Sequence, residues 1–248
     1  MRKASVRLPL LVAVTLGTMW SARPAAAQCG SSLYGLNYIL PVPGNPLQGE
    51  RVTTQTGFNA TSDSDAQSQK ELIARDSQGR VRVERIVAAG KEVESHTVLI
   101  CDPGTQTFTR MDTLNKAATV IREAKGLSLT SSEAPEFCTS LFRGNSANVT
   151  VEKLGHRTIQ GVDSEGLRFT IPGPSLTVRE QWCSKELGVM VSQFSSYAKT
   201  GAKEQAVLLK LERREPEAAL FKIPADYTVS ESVPAETNPP VRPKQPIL

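Results

Sequence analysis

The sequence predicts a mainly β protein with a minor α component, built as a single curved antiparallel sheet or incomplete β-barrel with one or two short helices. Short segments in which apolar and polar residues alternate recur from Leu47 onward, and this is the period of a strand with one buried face. The 17 glycines and 16 prolines favour turns over long helices. Helical periodicity is weak, so one antiparallel sheet is the expected architecture.

The first half of the chain predicts one strand followed by two hairpins. The hairpins turn at residues 77–79 (SQG) and 102–105 (DPGT), where proline presets φ and glycine accepts a positive φ. Two hairpins in succession indicate an antiparallel meander. The predicted strands cover residues 49–57, 70–75, 80–87, 96–101 and 107–111.

The second half repeats this pattern of short strands and turns. Gly155 and His156 predict a break between two arms, and residues 172–174 (PGP) end a strand because proline cannot donate to a sheet ladder. The predicted strands cover residues 148–154, 158–161, 167–171, 176–183, 189–197 and 205–213.

Few segments favour a helix. Residues 114–125 predict a helix or an irregular arm, residues 131–142 carry a weak helical signal with Pro135 inside it, and residues 215–221 support one turn. We expect Leu220 and Phe221 to pack under the last predicted strand, and Pro224 to end regular pairing.

The first 27 residues have the form of a secretory signal peptide. Basic residues precede an apolar stretch, which ends before Ala25-Ala26-Ala27, a small-residue cleavage site. The stretch is shorter than the about 20 residues that a membrane span needs, so we expect no transmembrane anchor. We therefore predict a signal peptide (1–27), a single β-rich domain (28–229) and a proline-rich disordered tail (230–248), with export to the periplasm or the extracellular space.

The charge of the exported chain argues against a nucleic-acid partner. Four of the 29 basic residues lie in the predicted signal peptide, which leaves 25 basic residues against 25 acidic ones. Long-range attraction to nucleic acid or to anionic lipid needs a clear imbalance. The exported chain has none.

Four cysteines, Cys29, Cys101, Cys138 and Cys183, predict two structural disulfides in an oxidising compartment. No two of them form a CxxC pair, which argues against a zinc ribbon or a thioredoxin-type site. Three connectivities are open. We favour Cys101–Cys138, which closes the shorter loop, and Cys29–Cys183, which ties the start of the exported chain to a central strand.

Motifs for catalysis or metal binding are not found in the sequence. The two histidines, His96 and His156, show no metal-ligand spacing, and no GxSxG elbow or glycine-rich phosphate loop is present. We predict no catalytic residue, no metal site and no cofactor.

Large apolar residues remain as the candidate binding groups. They lie in segments that a meander makes adjacent, and they are either ordinary core or the lining of a ligand cavity on the concave face of the sheet. The candidates for this lining are Phe169, Leu176, Trp182, Met190 and Phe194.

The C-terminal half resembles a group of secreted bacterial envelope proteins of unknown function. The resemblance lies in GHRTIQGVDSEG (155–166), EQWCSKELG (180–188) and PEAALFKIPADYTV (216–229). That group is in turn similar to the lipoprotein-carrier superfamily, which includes LolA, LolB and RseB proteins. The resemblance implies an incomplete antiparallel β-barrel, with helices at its mouth, that binds acyl chains or lipoproteins.

Two functional hypotheses follow. The first is a non-enzymatic periplasmic or secreted binding protein that holds a lipid, an acyl chain or a lipoprotein in a half-barrel. The second is a structural or interaction module of the cell envelope, with a fully packed sheet and a protein partner. A secreted hydrolase with a scattered site ranks third.

Overall fold

The described part of the chain forms twelve β-strands and a short 3-10 helix. The computed structural model describes residues 36, 38–57, 67–89, 92–122, 138, 148–173 and 176–232. The 3-10 helix comprises Ala218–Phe221. The strands are β1 (Leu47–Thr56), β2 (Gln67–Arg75), β3 (Val81–Ala89), β4 (Glu92–Asp102), β5 (Thr107–Asp112), β6 (Ala117–Arg122), β7 (Thr150–Ile159), β8 (Val162–Ile171), β9 (Thr177–Ser184), β10 (Val189–Tyr197), β11 (Lys203–Glu212) and β12 (Thr228–Ser232).

All twelve strands belong to one open sheet. Two antiparallel meanders, β1 to β6 and β7 to β11, are joined by the pairing of β1 with β11. The last strand, β12, lies parallel to β6, so β12 and β7 form the two edges. The predicted fold class, mainly β with one antiparallel sheet that does not close, is confirmed.

Most of the predicted strands are present. Turn chemistry explains why: the Asp76 carboxylate accepts hydrogen bonds from the backbone N–H groups of Gln78 (3.1 Å) and Arg80 (2.8 Å), and Gly79 has φ +86°. The strands predicted at residues 49–57, 70–75, 80–87, 96–101, 107–111, 167–171, 176–183, 189–197 and 205–213 correspond to β1 to β5 and β8 to β11, with ends that differ by a few residues.

The helix or irregular arm predicted at residues 114–125 is wrong, because this segment contains β6. Before the strand, the Asp112 carboxylate accepts hydrogen bonds from the backbone N–H groups of Leu114 and Asn115, both at 3.1 Å. Lys116 then adopts φ +48°. This turn sends the chain back along β5, and the ladder with β5 outweighs the weak local helical preference.

The break predicted at Gly155 and His156 is a β-bulge within one strand. β7 is continuous, and its register with β8 shifts between Lys153 and Gly155. Gly155 has φ +83°, a conformation that glycine adopts without steric cost.

The sheet has two faces with different cores. We call the inner face the one that carries the larger cluster, which includes Leu47, Val83, Phe108 and Phe169 and is packed against Leu36, Tyr38, Ile39 and Cys138. We call the opposite one the outer face. Its smaller cluster consists of Ala74, Val98, Ile100, Met111, Ala118 and Phe221, with Leu220, Ile223 and Tyr227 beside it.

The predicted position of Leu220 and Phe221 under residues 205–213 is therefore wrong. Both side chains pack on the outer face over β2 and β4 to β6, far along the sheet from β11. The Glu215 carboxylate accepts a hydrogen bond from the Ser77 backbone N–H at 3.0 Å, which leads the chain towards this position. The segment from the 3-10 helix to Tyr227 covers the smaller cluster of the outer face.

A segment before β1 fills a gap between β10 and β11. Tyr38–Leu40 pairs with the start of β10: Leu40 donates to the Gly188 carbonyl and Met190 donates to the Tyr38 carbonyl, both at 2.8 Å. β11 is paired with β10 only from Lys203 to Val207, while its remainder follows β1. The segment therefore satisfies backbone groups that β11 leaves free.

The disulfide connectivity differs from the favoured one. Cys138 is bonded to Cys183, with a Cα–Cα distance of 6.2 Å, which excludes both Cys101–Cys138 and Cys29–Cys183. Cys101 is also disulfide-bonded. Loop length was an unreliable guide, because pairing depends on which cysteines the tertiary structure brings within bonding distance. Cys29 lies outside the described residues, as does the predicted helix at 131–142 apart from Cys138.

The described chain continues beyond the predicted domain boundary at residue 229, since β12 runs to Ser232. The predicted signal peptide and most of the predicted tail lie outside the described residues. In the part of the chain that the structure describes, no helix has the length and apolar character to cross a membrane.

Candidate functional site

The inner face changes from apolar to polar along the strands. Directly paired residues of antiparallel strands point to the same side of a sheet, so each register defines a row of side chains. One row contains Phe169, Arg179, Ser195, Glu204 and Gln55, and the next contains Leu167, Gln181, Gln193, Ala206 and Thr53. We call the inner-face residues Arg51, Thr53, Gln55, Glu71, Arg85, Arg179, Gln181, Gln193, Ser195 and Glu204 the polar belt.

A chain of hydrogen bonds crosses four strands of the polar belt. Gln181 Nε2 donates to Gln193 Oε1 at 3.3 Å, and Gln193 Nε2 donates to Glu204 Oε1 at 3.0 Å. From the other side, Gln55 Nε2 donates to Glu204 Oε2 at 2.8 Å. The chain begins at Gln181 Oε1, a buried acceptor without a hydrogen-bond partner.

Three further polar side chains adjoin this chain of hydrogen bonds. Arg179 Nε donates to Ser195 Oγ at 3.1 Å, and Ser195 is completely buried. Thr53 is buried as well. Buried polar groups in such number on one sheet face are costly unless they are paired, so this part of the face is built for hydrogen bonding.

A charged cluster occupies the other part of the polar belt. The Glu71 carboxylate is buried and accepts hydrogen bonds from Arg51 Nη1 (2.9 Å), Arg85 Nε (2.7 Å) and the Tyr38 hydroxyl (2.8 Å). Arg51 also stacks on the Tyr38 ring, 4.2 Å from its centroid. Burial alone would raise the pKa of Glu71, but the two guanidiniums and the phenol outweigh it and hold this pKa below its usual range.

A second buried charged side chain, Arg75, lies in the apolar part of the inner face. Arg75 is fully buried and donates to the backbone carbonyls of Leu40 (2.7 Å) and Asn45 (2.9 Å). Its Nη2 has no partner, and burial lowers the pKa of Arg75 to about 10. Arg75 therefore fastens the segment before β1 to the sheet, at the cost of one desolvated N–H group.

The structure divides the five predicted ligand-lining residues between the two faces. Phe169 and Met190 lie in the inner core, with 0% and 5% of their surface exposed. Trp182 and Phe194 belong to outer-face rows, opposite Ser192 and Glu180. Leu176 precedes β9 and is 44% exposed. The set therefore forms no single lining.

Trp182 is held on the outer face by its neighbours. A Cβ atom at Gly166, its cross-strand partner, would stand 2.6 Å from the indole ring, so the ring occupies the space that glycine leaves open. The Arg157 guanidinium covers the ring at 3.7 Å from its centroid. This arrangement explains the burial of Trp182 without a ligand.

Neither histidine takes part in the polar belt. His96 Nε2 lies 2.7 Å from Glu84 Oε1 on the outer face, and His156 Nδ1 lies 3.9 Å from Asp163 Oδ1 beside an exposed turn. Among the described residues there is no group of three or more His, Cys, Asp or Glu side chains that could hold a metal ion.

Sequence reasoning missed the polar belt because it ranked residues by apolar size. The alternation in β9 contained a usable signal: Arg179 and Gln181 share one face, and Val178, Glu180 and Trp182 share the other. Since Phe169 pairs with Arg179, Phe169 and Trp182 must point in opposite directions. Only the register between the strands reveals this.

The chain is similar to several solved structures, but it matches no protein family. No family profile matches the chain, and no curated protein matches it significantly. An uncharacterised conserved protein from Thermus thermophilus is 12% identical, over 76% of this chain and 91% of its own, with a TM-score of 0.44. MucB in the MucA/MucB complex from Pseudomonas aeruginosa is 13% identical, over 81% of this chain and 63% of its own, with a TM-score of 0.43.

A LolA superfamily protein from Nitrosomonas europaea is also similar, at 13% identity over 79% of this chain and 98% of its own, with a TM-score of 0.32. The superfamily that the C-terminal motifs resemble is thus represented among the similar structures. This chain spans less than two thirds of the MucB chain. At TM-scores below 0.5 these likenesses carry no argument about function.

Proposed function

We propose that the chain is an exported, non-enzymatic binding protein that holds a lipid, an acyl chain or a lipoprotein on the inner face of its sheet. The observation that carries the proposal is the amphipathic character of this face, where an apolar region containing Phe169 and Met190 adjoins the polar belt. A ligand with an apolar chain and a polar head needs both kinds of surface.

The architecture supports this proposal. A sheet face must be covered by another layer, and here the sheet is a single open layer. In the described ranges the larger inner cluster is covered by Leu36, Tyr38, Ile39 and Cys138 rather than by a second sheet. Contacts of this kind rearrange more readily than a packed two-sheet core, which suits a face that accepts a ligand.

A second candidate function is a structural or interaction module with a protein partner. The low exposure of Phe169 and Met190 favours it, because these side chains are already packed against the chain itself. In that case the inner face is ordinary core, and function resides on the outer face or at the sheet edges.

Native mass spectrometry of the full chain purified from the periplasm separates the two candidates. A co-purifying lipid mass, or uptake of a fluorescent fatty acid by delipidated protein, supports the binding protein. An apo mass combined with no uptake overturns it and leaves the interaction module.

A matched pair of variants locates the ligand. Met190→Ala removes part of the apolar inner face, and we expect it to weaken fatty-acid uptake several-fold. Phe194→Ala shortens a partly exposed outer-face side chain on the same strand, and we expect unchanged uptake. Equal effects of the two substitutions on uptake contradict the proposed location.

A further inference from the structure

We infer that the hydrogen-bonded side chains of the polar belt on β9, β10, β11 and β1 form a subsite for a polyhydroxylated group. This group is either the sugar headgroup of a glycolipid or a free sugar. In its glycolipid form this inference rests on the proposed function, since the acyl chains would lie on the apolar part of the same face. The subsite consists of Thr53, Gln55, Gln181, Gln193, Ser195 and Glu204, with Arg179 beside it.

The position of the subsite follows from the strand registers. Gln181, Gln193, Glu204 and Gln55 lie on four adjacent strands, β9, β10, β11 and β1. Neighbouring strands lie about 4.8 Å apart, so the polar side chains extend over about 14 Å of the inner face. Phe169 and Leu167 on β8 border the same two rows with apolar surface.

The unsatisfied oxygen of Gln181 points to a ligand that donates a hydrogen bond. Gln181 is 1% exposed, its Nε2 is used to bind Gln193, and its Oε1 has no partner. Within the described residues this is the polar belt's one buried side-chain oxygen or nitrogen without a hydrogen bond. A buried acceptor without a donor destabilises the fold, and a bound hydroxyl group would remove that cost.

The chemistry of the neighbouring groups favours a neutral polyol over an ion. Arg179 lies beside the subsite in the same row as Glu204, and the formal charges of these two side chains cancel. Its hydrogen-bonding groups are of both kinds: Gln181 Oε1 is an unused acceptor, and a hydroxyl such as that of Thr53 or Ser195 can both accept and donate. A sugar hydroxyl also donates and accepts, whereas a carboxylate offers no donor and a hydrocarbon chain offers neither.

The test measures displacement of a fluorescent fatty acid from the full delipidated chain by two lipids with identical acyl chains. We expect monogalactosyl diacylglycerol to displace the probe at a concentration at least tenfold lower than diacylglycerol. Gln181→Leu should abolish this preference and leave displacement by diacylglycerol unchanged. Gln205→Leu is the matched control, because Gln205 is next to Glu204 but is exposed on the outer face, and it should keep the preference.

The outcomes distinguish the two claims. Displacement by diacylglycerol with no preference for the galactolipid overturns this inference and leaves the proposed function standing. If neither lipid displaces the probe, binding of free galactose by calorimetry decides: binding that Gln181→Leu removes supports a free-sugar site, and no binding overturns it. Should Gln181→Leu fail to fold, Thr53→Val removes a subsite hydroxyl at nearly constant volume, and an unchanged preference there contradicts the inference.

Discussion

Glu71 shows how a single residue on β2 can determine the character of the inner face. Its carboxylate is buried, yet two guanidiniums and a phenol bind it from neighbouring elements. A buried carboxylate without such partners would be protonated or excluded from the interior. The four side chains therefore depend on one another, and they connect the segment before β1 to β1, β2 and β3.

The lowered pKa of Glu71 predicts an acid-sensitive contribution to stability. A carboxyl group whose pKa is lower in the folded state stabilises the fold above its unfolded pKa, which is 4.5, and this contribution is lost as the pH falls through the folded pKa. We expect Glu71→Gln to lower the free energy of unfolding by about 3 kcal/mol at pH 7. Urea unfolding from pH 7 down to pH 3 measures the difference.

The free energies of unfolding of the wild type and of Glu71→Gln should converge at low pH, because protonated Glu71 resembles glutamine. Glu50→Gln is the control, since Glu50 pairs with Lys70 on the outer face and should change stability far less. A difference between wild type and Glu71→Gln that stays constant down to pH 3 would contradict the assigned role.

At the scale of elements, the C-terminal segment has two parts that contribute differently to the stability of the fold. The part from the 3-10 helix to Tyr227 covers the smaller core with Phe221 and its neighbours, and the Arg80 guanidinium lies 4.8 Å from the Phe221 ring centroid. In β12, by contrast, all five side chains are exposed. β12 contributes backbone pairing with β6 and little buried surface.

Two truncations test this division. A chain that ends at Thr228 loses β12 but no buried side chain, so we expect its free energy of unfolding to change by less than about 1 kcal/mol. A chain that ends at Arg214 loses Phe221 and exposes the smaller core, and we expect a loss of at least about 3 kcal/mol. Urea denaturation of both chains gives the free energies of unfolding. Equal unfolding midpoints would contradict the different contributions of the two parts.

The elements also show where sequence reasoning succeeds. Strands that alternate in polarity and meet at Asx or glycine turns, such as β2 and β3, were predictable from local residues alone. β6 and β12 were not, because each owes its conformation to a neighbouring strand rather than to its own pattern. The pairing of β7 with β8 likewise makes one strand of a segment whose own residues predict a break at the bulge.

At the scale of the whole molecule, the Cys138–Cys183 disulfide connects two distant regions of the chain. It joins Cys138 to the centre of the second meander across a sequence separation of 45 residues, and both residues belong to the inner cluster. A cross-link of this length stabilises a fold chiefly by restricting the unfolded chain. The bridge therefore helps to hold Cys138 against the inner face, on which the described residues form no second sheet.

Replacing both cysteines should lower stability without changing the strand content. We expect Cys138→Ser/Cys183→Ser to lose about 2–4 kcal/mol of the free energy of unfolding. Dithiothreitol should destabilise the wild type by more than it destabilises this variant. Peptide mapping without reduction checks the premise, and a Cys101–Cys138 peptide would contradict it.

The sequence by itself determined the fold class, most strands and the oxidised state of the cysteines, because alternation, turn residues and cysteine number are local or compositional properties. Tertiary structure decided which strands are neighbours, which cysteines pair and which face each side chain occupies. The pairing of β1 with β11 brings Gln55 within 2.8 Å of Glu204, although 149 residues separate them. The register of such distant strands assembles the polar belt, and no local pattern encodes that register.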